Sequence, residues 1–168
     1  MNEILDFETY LSISQTKFGI YLFDTKNRNN LYVKEITIEK SNFINFSDLK
    51  QFLDENIFKI EKLVGKFIEN IFIIIDDENI LNTQIGIKQK NYQPSKGRIY
   101  LQSSITNAKD LFEENYPDKK IMHIIISNYL IDGKNHFYLQ DNLECEQLNL
   151  VIQFKSISNE IIYNLNKL

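Results

Sequence analysis

The fold is decided by the stretch LSISQTK at residues 11–17, which the apolar run FGIYLF follows at residues 18–23. Two segments rich in apolar residues flank a short polar turn. This pattern is typical of two consecutive strands of a meander. A second polar turn at residues 26–30 leads into a segment that alternates again. The predicted strands of this meander are residues 10–13, 17–24 and 31–39.

The segment after the meander has the spacing of an amphipathic helix. Ser47 is a good N-cap residue, Asp48 follows in the first turn, and apolar residues then recur every three or four positions. Gly65 is suited to end this helix. The apolar run that follows predicts a short strand over residues 70–75, buried on both faces.

The second half of the chain is predicted to combine strands with a helix. Ser104 or Thr106 is expected to cap a helix that ends at Tyr116, and Ser156 to open a last helix. Asp132-Gly133 is a strong turn signal. The predicted strands of this half are residues 83–89, 97–101, 121–131, 136–139 and 147–155.

Composition excludes several classes of protein. The 168 residues are 43% hydrophobic, enough for a sizeable core. The formal net charge is −4 and no basic block occurs, which argues against nucleic acid as a partner. Cys145 is the single cysteine and no signal-like segment is present, so we predict a cytoplasmic protein. The longest apolar run that contains no glycine, residues 71–75, is too short for direct membrane insertion.

Several of these segments resemble the N-terminal part of the bacterial cell-division protein FtsA family, which is actin-like. The most specific is IMHIIISNYLIDG at residues 121–133, which resembles the family's strand with a His near its start, a Tyr near its end and an Asp-Gly turn. The other segments that carry the resemblance are residues 11–23, 41–76, 105–112, 143–154 and 161–168.

The resemblance implies the fold class. It predicts an α+β chain that is a degenerate half of an actin-like (ribonuclease H-like) domain carrying a strand-helix-strand-strand subdomain. We expect residues 1–80 to form the degenerate actin-like meander, helix and strand, and residues 81–155 to form the subdomain. Residues 156–168 are expected to form a C-terminal helix that packs back on the first part.

The residues of the first turn depart from the family's pattern. Actin-like ATPases carry an Asp in the first strand, which holds metal-bound water, and glycines in the turn, which let backbone N–H groups approach phosphate. Here Ser12 occupies the Asp position and Ser14 the Gly position, beside Gln15 and Thr16. The family's second phosphate turn and its adenosine-binding segment also have no counterpart. We therefore predict a degenerate phosphate turn, no cofactor and no enzymatic activity.

For the other residues that could bind a metal ion or catalyse a reaction, a purely structural role is the better interpretation. Two strand histidines, His123 and His136, without a cysteine cluster do not indicate a metal site. Cys145 has acidic neighbours, which are expected to raise the pKa of its thiol and so disfavour the reactive thiolate. Inert burial is the better interpretation. Asp76-Asp77-Glu78 could bind Mg²⁺, but a solvated turn is more common. No serine lies in a G-x-S-x-G turn, and no Gly-rich nucleotide fingerprint occurs. No metal or catalytic residues are predicted.

An interaction surface is the remaining functional hypothesis. Tyrosines at sheet edges and a small basic loop are typical of protein interfaces, and unpaired edge strands invite pairing with another chain. The candidate edges are residues 83–89 and 97–101. The residues predicted to contact a partner are Tyr92, Arg98, Tyr100, Tyr129 and Tyr138.

The resemblance and the departures together predict a non-catalytic protein-protein interaction module related to FtsA in divisome assembly. Its partner would be a divisome component or another copy of itself. The first alternative is a pilus or secretion assembly module of the PilM type. The second is a nucleotide or small-ligand binding protein that uses the first hairpin and the turn at residues 76–78.

Overall fold

The chain folds into eight strands and three helices within the residues that the computed structural model describes, which are 6–93, 97–139 and 144–168. Their bounds are β1 (Phe7–Ser14), β2 (Lys17–Asp24), β3 (Asn29–Thr37), α1 (Phe46–Val64), β4 (Ile71–Asp76), β5 (Leu81–Tyr92), α2 (Gly97–Asn115), β6 (Lys119–Ile131), β7 (Lys134–His136), β8 (Cys145–Ser158) and α3 (Asn159–Leu165). The predicted α+β class is confirmed.

These elements form two compact units. One unit runs to Glu78 and includes Lys167 and Leu168, and the other spans Asn79–Asn166. The first holds a four-stranded sheet in the order β3-β2-β1-β4, and the second holds a four-stranded sheet in the order β5-β8-β6-β7. Residues 1–5, 94–96 and 140–143, for which loops, domains or resemblance segments were predicted, lie outside the described residues.

The sheet of the first unit has the predicted connectivity. β1 pairs antiparallel with β2, and β2 pairs antiparallel with β3, which confirms the meander. β4 pairs parallel with β1, and the chain between them, which includes α1, is long enough for the crossover that parallel strands need. Phe18 of β2 packs on Phe52 of α1, with ring centroids 6.1 Å apart. The buried side chains of this core are Leu11, Ile13, Phe18, Ile20, Leu22, Ile44, Leu49, Phe52 and Ile60.

Helix α1 ends as predicted, but it begins at a different cap. Gly65 closes it with φ 73°, a left-handed conformation that suits glycine. At the other end, the side chain of Asn45 accepts hydrogen bonds from the backbone N–H groups of Ser47 and Asp48, at 3.1 and 3.2 Å. The predicted cap, Ser47, instead lies inside the first turn.

This difference gives a direct test. Asn45→Ala removes the acceptor for two N–H groups and is expected to lower the free energy of unfolding by about 1 kcal/mol. Ser47→Ala is the matched control and is expected to change it by less than about 0.5 kcal/mol. Urea titration followed by circular dichroism measures both. A larger loss in Ser47→Ala would restore the cap that the sequence predicted.

The burial predicted for β4 is wrong. Phe72, Ile73 and Ile74 are 52%, 46% and 54% exposed. The physical reason is position: β4 is the last strand of its sheet, and α1 packs mainly against β2. Within the described residues, an apolar strand therefore lies at an edge of the sheet with both of its faces in contact with solvent.

The second unit packs α2 on one face of its sheet, mainly against β5 and β8. Phe112 of α2 stacks on Phe154 of β8, with ring centroids 5.1 Å apart. The turn at Asp132-Gly133 has φ 45° and 81°, which confirms the predicted turn signal. The buried core of this unit is Tyr92, Ala108, Phe112, Ile131, Leu148, Leu150, Ile152 and Phe154.

Two elements of this unit begin elsewhere than predicted. The prediction of a strand over residues 97–101 is wrong. Helix α2 begins at Gly97, and its buried positions recur at helical spacing from there. Ser104 and Thr106 lie inside that helix and are not caps, and Ser104 is buried. Ser156 is buried within β8, and the last helix is capped by Ser158, whose Oγ accepts from the N–H of Ile161.

The last helix belongs to the second unit. α3 packs against β6 and β8, and residues 156–166 fall in the unit Asn79–Asn166. The sequence had instead placed this helix against the first part of the chain. Of the helices in the described part of the chain, none combines the length and the apolar character needed to cross a membrane.

Candidate functional site

The turn between β1 and β2 lies beside the carboxyl end of β4, because the two strands are parallel and Ser14 is in register with Asp76. The sequence predicted a degenerate phosphate turn at this hairpin. We call residues 14–17 the β1–β2 turn. Ser12 is half-buried on the sheet face away from α1, opposite Gly19 of β2. Thr16 is exposed at the tip.

The side chain of Ser14 accepts hydrogen bonds from backbone N–H groups of its own turn. Its Oγ accepts hydrogen bonds from the backbone N–H groups of Thr16 and Lys17, at 3.3 and 2.9 Å, and lies 3.1 Å from the carbonyl oxygen of Lys17. In phosphate-binding turns the corresponding N–H groups point at the ligand. A phosphate at this turn would therefore compete with the Ser14 hydroxyl for the same two donors.

Gln15 is the buried centre of the turn, with 5% of its surface exposed. Its Nε2 donates to Oδ1 of Asp77 at 3.1 Å and to the carbonyl oxygen of Asn42 at 3.2 Å. These bonds tie the turn to the end of β4 and to the segment before α1. The sequence placed Gln15 in the degenerate turn but gave it no structural role.

The acidic run after β4 does not behave as a simple solvated turn. Asp77 is buried against Gln15, whereas Asp76 and Glu78 are exposed. Glu78 pairs with Lys40 at 2.9 Å between exposed side chains, an arrangement that stabilises little. Because Asp77 already accepts a buried hydrogen bond, one of the three candidate Mg²⁺ ligands has a structural function.

The other candidate ligands lie apart. His123 is exposed on β6 and His136 is half-buried on β7. Burial raises the pKa of the Cys145 thiol, and the charge of Asp132 adds to the effect. Among the described residues no group of three or more His, Cys, Asp and Glu side chains could hold a metal ion.

The strongest candidate surface is formed by the exposed side chains of β4. Phe72 and Ile74 lie on the sheet face away from α1, and Ile73 lies on the opposite face, in register with Leu11. Tyr10 of β1 stacks on Phe72 with ring centroids 5.3 Å apart. We call the side chains of Phe72, Ile73 and Ile74 the β4 surface. Phe72 and Ile74 share one face, and exposed apolar side chains that lie together on an edge strand are typical of an interaction site.

The same sheet face becomes polar towards β3. Lys17 and Glu35 form an ion pair at 2.7 Å, and the Tyr21 hydroxyl donates to Glu35 at 2.5 Å. The hydrogen bonds from Lys17 and then Tyr21 hold the pKa of Glu35 below its usual range. An apolar strand bordered by a polar rim is the usual anatomy of a protein interface.

The tyrosines predicted to contact a partner are mostly interior. Tyr92 is only 4% exposed and packs on Tyr100, with ring centroids 5.6 Å apart. Tyr100 and Tyr129 are half-buried against the same core. The prediction of a tyrosine surface fails for Tyr92, because its ring packs among the core residues of the second unit. Arg98 and Tyr138 are exposed.

A cleft of about 470 Å³ lies at the amino ends of β1 and β4, the opposite end of these strands from the β1–β2 turn. Lys66 Nζ lies 4.6 Å from the centroid of the Phe7 ring. Because Asp6 and Glu69 also line the cleft, its charge does not favour a nucleotide phosphate. The cleft therefore gives no support to the alternative that the chain binds a nucleotide.

Comparison with known proteins gives fold-level likenesses. No protein-family model and no curated protein matches the chain. It is similar to a Bacteroides thetaiotaomicron protein with an actin-like ATPase fold and unknown function, at 16% identity and a TM-score of 0.47, over 99% of this chain and 51% of that one. It is also similar to the cytoplasmic domain of EpsL from Vibrio cholerae, an inner membrane component of the type II secretion system. That likeness has 7% identity and a TM-score of 0.43, over 96% of this chain and 51% of that one.

These likenesses concern the fold alone and carry no argument about function. The chain spans about half the length of both structures. The first of them has an actin-like ATPase fold, and the degenerate half of such a fold stays a prediction for this chain. The finer resemblance, to the cell-division family, stays a prediction.

Proposed function

We propose that the chain is a non-catalytic protein-protein interaction module. One observation carries the proposal: three consecutive apolar side chains of the edge strand β4 are about half exposed. Burying such side chains against a partner contributes roughly 25 cal/mol for each Å² of apolar surface removed from water. An edge strand also offers unpaired backbone groups to a partner.

The non-catalytic part of the proposal is supported by the β1–β2 turn. The Ser14 hydroxyl accepts from two backbone N–H groups, and the Gln15 amide occupies the end of β4 by binding Asp77. Both interactions oppose the entry of a phosphate and its metal ion. Tight binding or hydrolysis of ATP–Mg²⁺ by the purified protein would contradict this part of the proposal.

The predicted setting of the module is bacterial cell division, which rests only on the sequence resemblance to the FtsA family. A pilus or secretion assembly of the PilM type is the alternative setting. The two differ in the partner that binds, not in the surface that binds it. Identification of the partner therefore tests the setting separately from the interaction.

Position-specific crosslinking tests the interaction. A photo-crosslinkable phenylalanine analogue at position 72 of β4 is expected to capture a defined protein, or a second copy of the chain, in cells of the native host. The matched control is position 58, a phenylalanine of α1 that is 70% exposed. Mass spectrometry identifies what each position captures. Equal capture at both positions would contradict an interface at the β4 surface.

The captured protein then allows a quantitative test. Phe72→Lys places a charge in the centre of the proposed interface and is expected to weaken binding at least tenfold, because buried aromatic residues are common hot spots. Phe58→Lys is expected to leave the affinity within about twofold. Isothermal titration with the captured protein measures both values. If Phe72→Lys binds as well as the wild type, the β4 surface is not the interface.

A further inference from the structure

The sheet of the second unit carries basic side chains on one of its two faces. One face is covered by α2 and holds the core around Phe112 and Phe154. The other face, which we call the open sheet face, carries the outward side chains of β5, β8 and β6. The register of these strands places Lys88, Lys90 and Lys155 on this face, together with His123. All four are exposed.

Over residues 82–90 of β5, 147–155 of β8 and 123–130 of β6, the open sheet face carries no acidic side chain. Asp132 lies in the turn after β6, where its carboxylate accepts a hydrogen bond from the N–H of Gln147. The remaining side chains of this face are amides and aliphatic groups, with Gly86 on β5. Across the described residues, Lys88, Lys90 and Lys155 form no ion pair, although the chain has more acidic than basic residues. Asp110, Glu113 and Glu114 of this unit are instead exposed on α2. The result is a local excess of positive charge on a chain with a net negative charge.

The lysines are concentrated at one edge. β5 is the outermost strand of the sheet order β5-β8-β6-β7, so among the described strands it pairs only with β8. It runs for 12 residues and contains Lys88 and Lys90 but no acidic residue. These two side chains point to the same face, because side chains two positions apart on a strand share a face. An added strand would place its own side chains directly opposite them.

We infer that β5 binds an extended acidic segment of a partner protein, which adds to the sheet as a strand and places carboxylates at alternate positions opposite Lys88 and Lys90. This inference rests on the proposed function and names the chemistry of a second contact. Opposite charges at facing positions of paired strands attract, and the backbone groups of β5 supply the hydrogen bonds.

The observations favour a polypeptide over other acidic ligands. A single-stranded nucleic acid needs aromatic rings on which its bases stack, and the described outward positions of β8, of β6 and of β5 up to Lys90 hold none. Lysines on an edge strand can also serve only to hinder pairing with other chains. The experiment must therefore distinguish three cases: a peptide that adds to the sheet as a strand, a peptide that is held only by charge, and an edge whose lysines prevent any strand from pairing.

The probe is a fluorescein-labelled decapeptide of alternating Glu and Thr, which favours an extended conformation. We expect saturable binding to the full chain in fluorescence anisotropy. Hydrogen exchange by NMR is expected to show slower exchange of backbone amides in β5 and unchanged exchange in β4. The variant Lys88→Glu/Lys90→Glu is expected to bind at least tenfold more weakly. The matched control Lys50→Glu/Lys109→Glu, which changes exposed helix lysines, is expected to bind as the wild type does.

Three results would overturn the inference: no saturable binding of the peptide, binding without protection of β5 amides, or equal affinity in both double variants. Tighter binding of polyuridylate than of the peptide, lost in Lys88→Glu/Lys90→Glu, would assign the face to nucleic acid instead. The crosslinking at position 72 concerns β4, so it can succeed while the peptide fails. Failure of the peptide alone therefore removes the acidic strand and leaves the proposed function in place.

Discussion

Phe154→Ala is expected to lower the free energy of unfolding of the second unit by about 3–5 kcal/mol. Phe154 is fully buried in the central strand β8 and stacks on Phe112 of α2. The substitution removes the transfer free energy of the ring and leaves a cavity that β8, held between β5 and β6, cannot close. Since domains of this size have about 5–15 kcal/mol of stability in total, the loss is a large fraction of it.

Urea denaturation followed by circular dichroism measures this loss as a shift of the midpoint. The matched control is Phe137→Ala, because Phe137 is 92% exposed and its removal is expected to change stability by less than about 0.5 kcal/mol. A loss below about 1 kcal/mol in Phe154→Ala would mean that α2 does not pack on β8 as described.

Gln15→Glu is expected to destabilise the first unit by about 3 kcal/mol at neutral pH. The side chain is buried, and its amide donates to the carboxylate of Asp77 and to the carbonyl of Asn42. A carboxylate at position 15 has no donor for either acceptor and lies within hydrogen-bond distance of a second negative charge. Buried groups that lose their partner cost about 1–3 kcal/mol, and more when they are charged.

A second substitution tests whether Asp77 is the cause. Asp77→Asn in the Gln15→Glu background restores a donor opposite an acceptor and removes the repulsion, so about half of the lost stability is expected to return. A double-mutant cycle of urea midpoints gives the coupling energy between the two positions. Additive effects of the two substitutions would show that Gln15 does not stabilise the turn through Asp77.

Local patterns predicted the parts of the fold that local chemistry determines. The apolar run at residues 18–23 predicted β2, Gly65 predicted the end of α1, and Asp132-Gly133 predicted the turn after β6. These features depend on neighbouring residues alone, since periodicity and left-handed backbone conformations are properties of a few consecutive positions. Residues of this kind can be placed correctly from one sequence.

The failures share a dependence on distant residues. An apolar run such as β4 indicates that something covers the strand, but it does not say whether the cover belongs to the described part of the same chain. Ser104 and Ser156 were predicted as caps because serines favour helix ends, whereas tertiary packing buries both of them. Lys88 and Lys155 share a face only because of the register between β5 and β8, which no local pattern encodes.

Gln15 illustrates why the candidate site was only partly predicted. A glutamine in a tight turn is normally solvated, and nothing in its neighbourhood signals burial. Its two partners, Asn42 and Asp77, are 27 and 62 positions away. The sequence identified the turn through Ser12 and Ser14, but the group that fixes the turn in place became visible only when the ends of β1 and β4 were brought together.

The hydroxyl of Ser14 has a consequence for how this hairpin can change during evolution. Because it occupies the two amide donors of Thr16 and Lys17, it acts as a built-in competitor of any incoming anion. Exchanging that serine for glycine would vacate the donors, yet the neighbouring glutamine would still block the adjacent strand end. Phosphate binding at this hairpin would thus require simultaneous changes at two adjoining positions, each of which alone weakens the hairpin, so it is disfavoured by single steps.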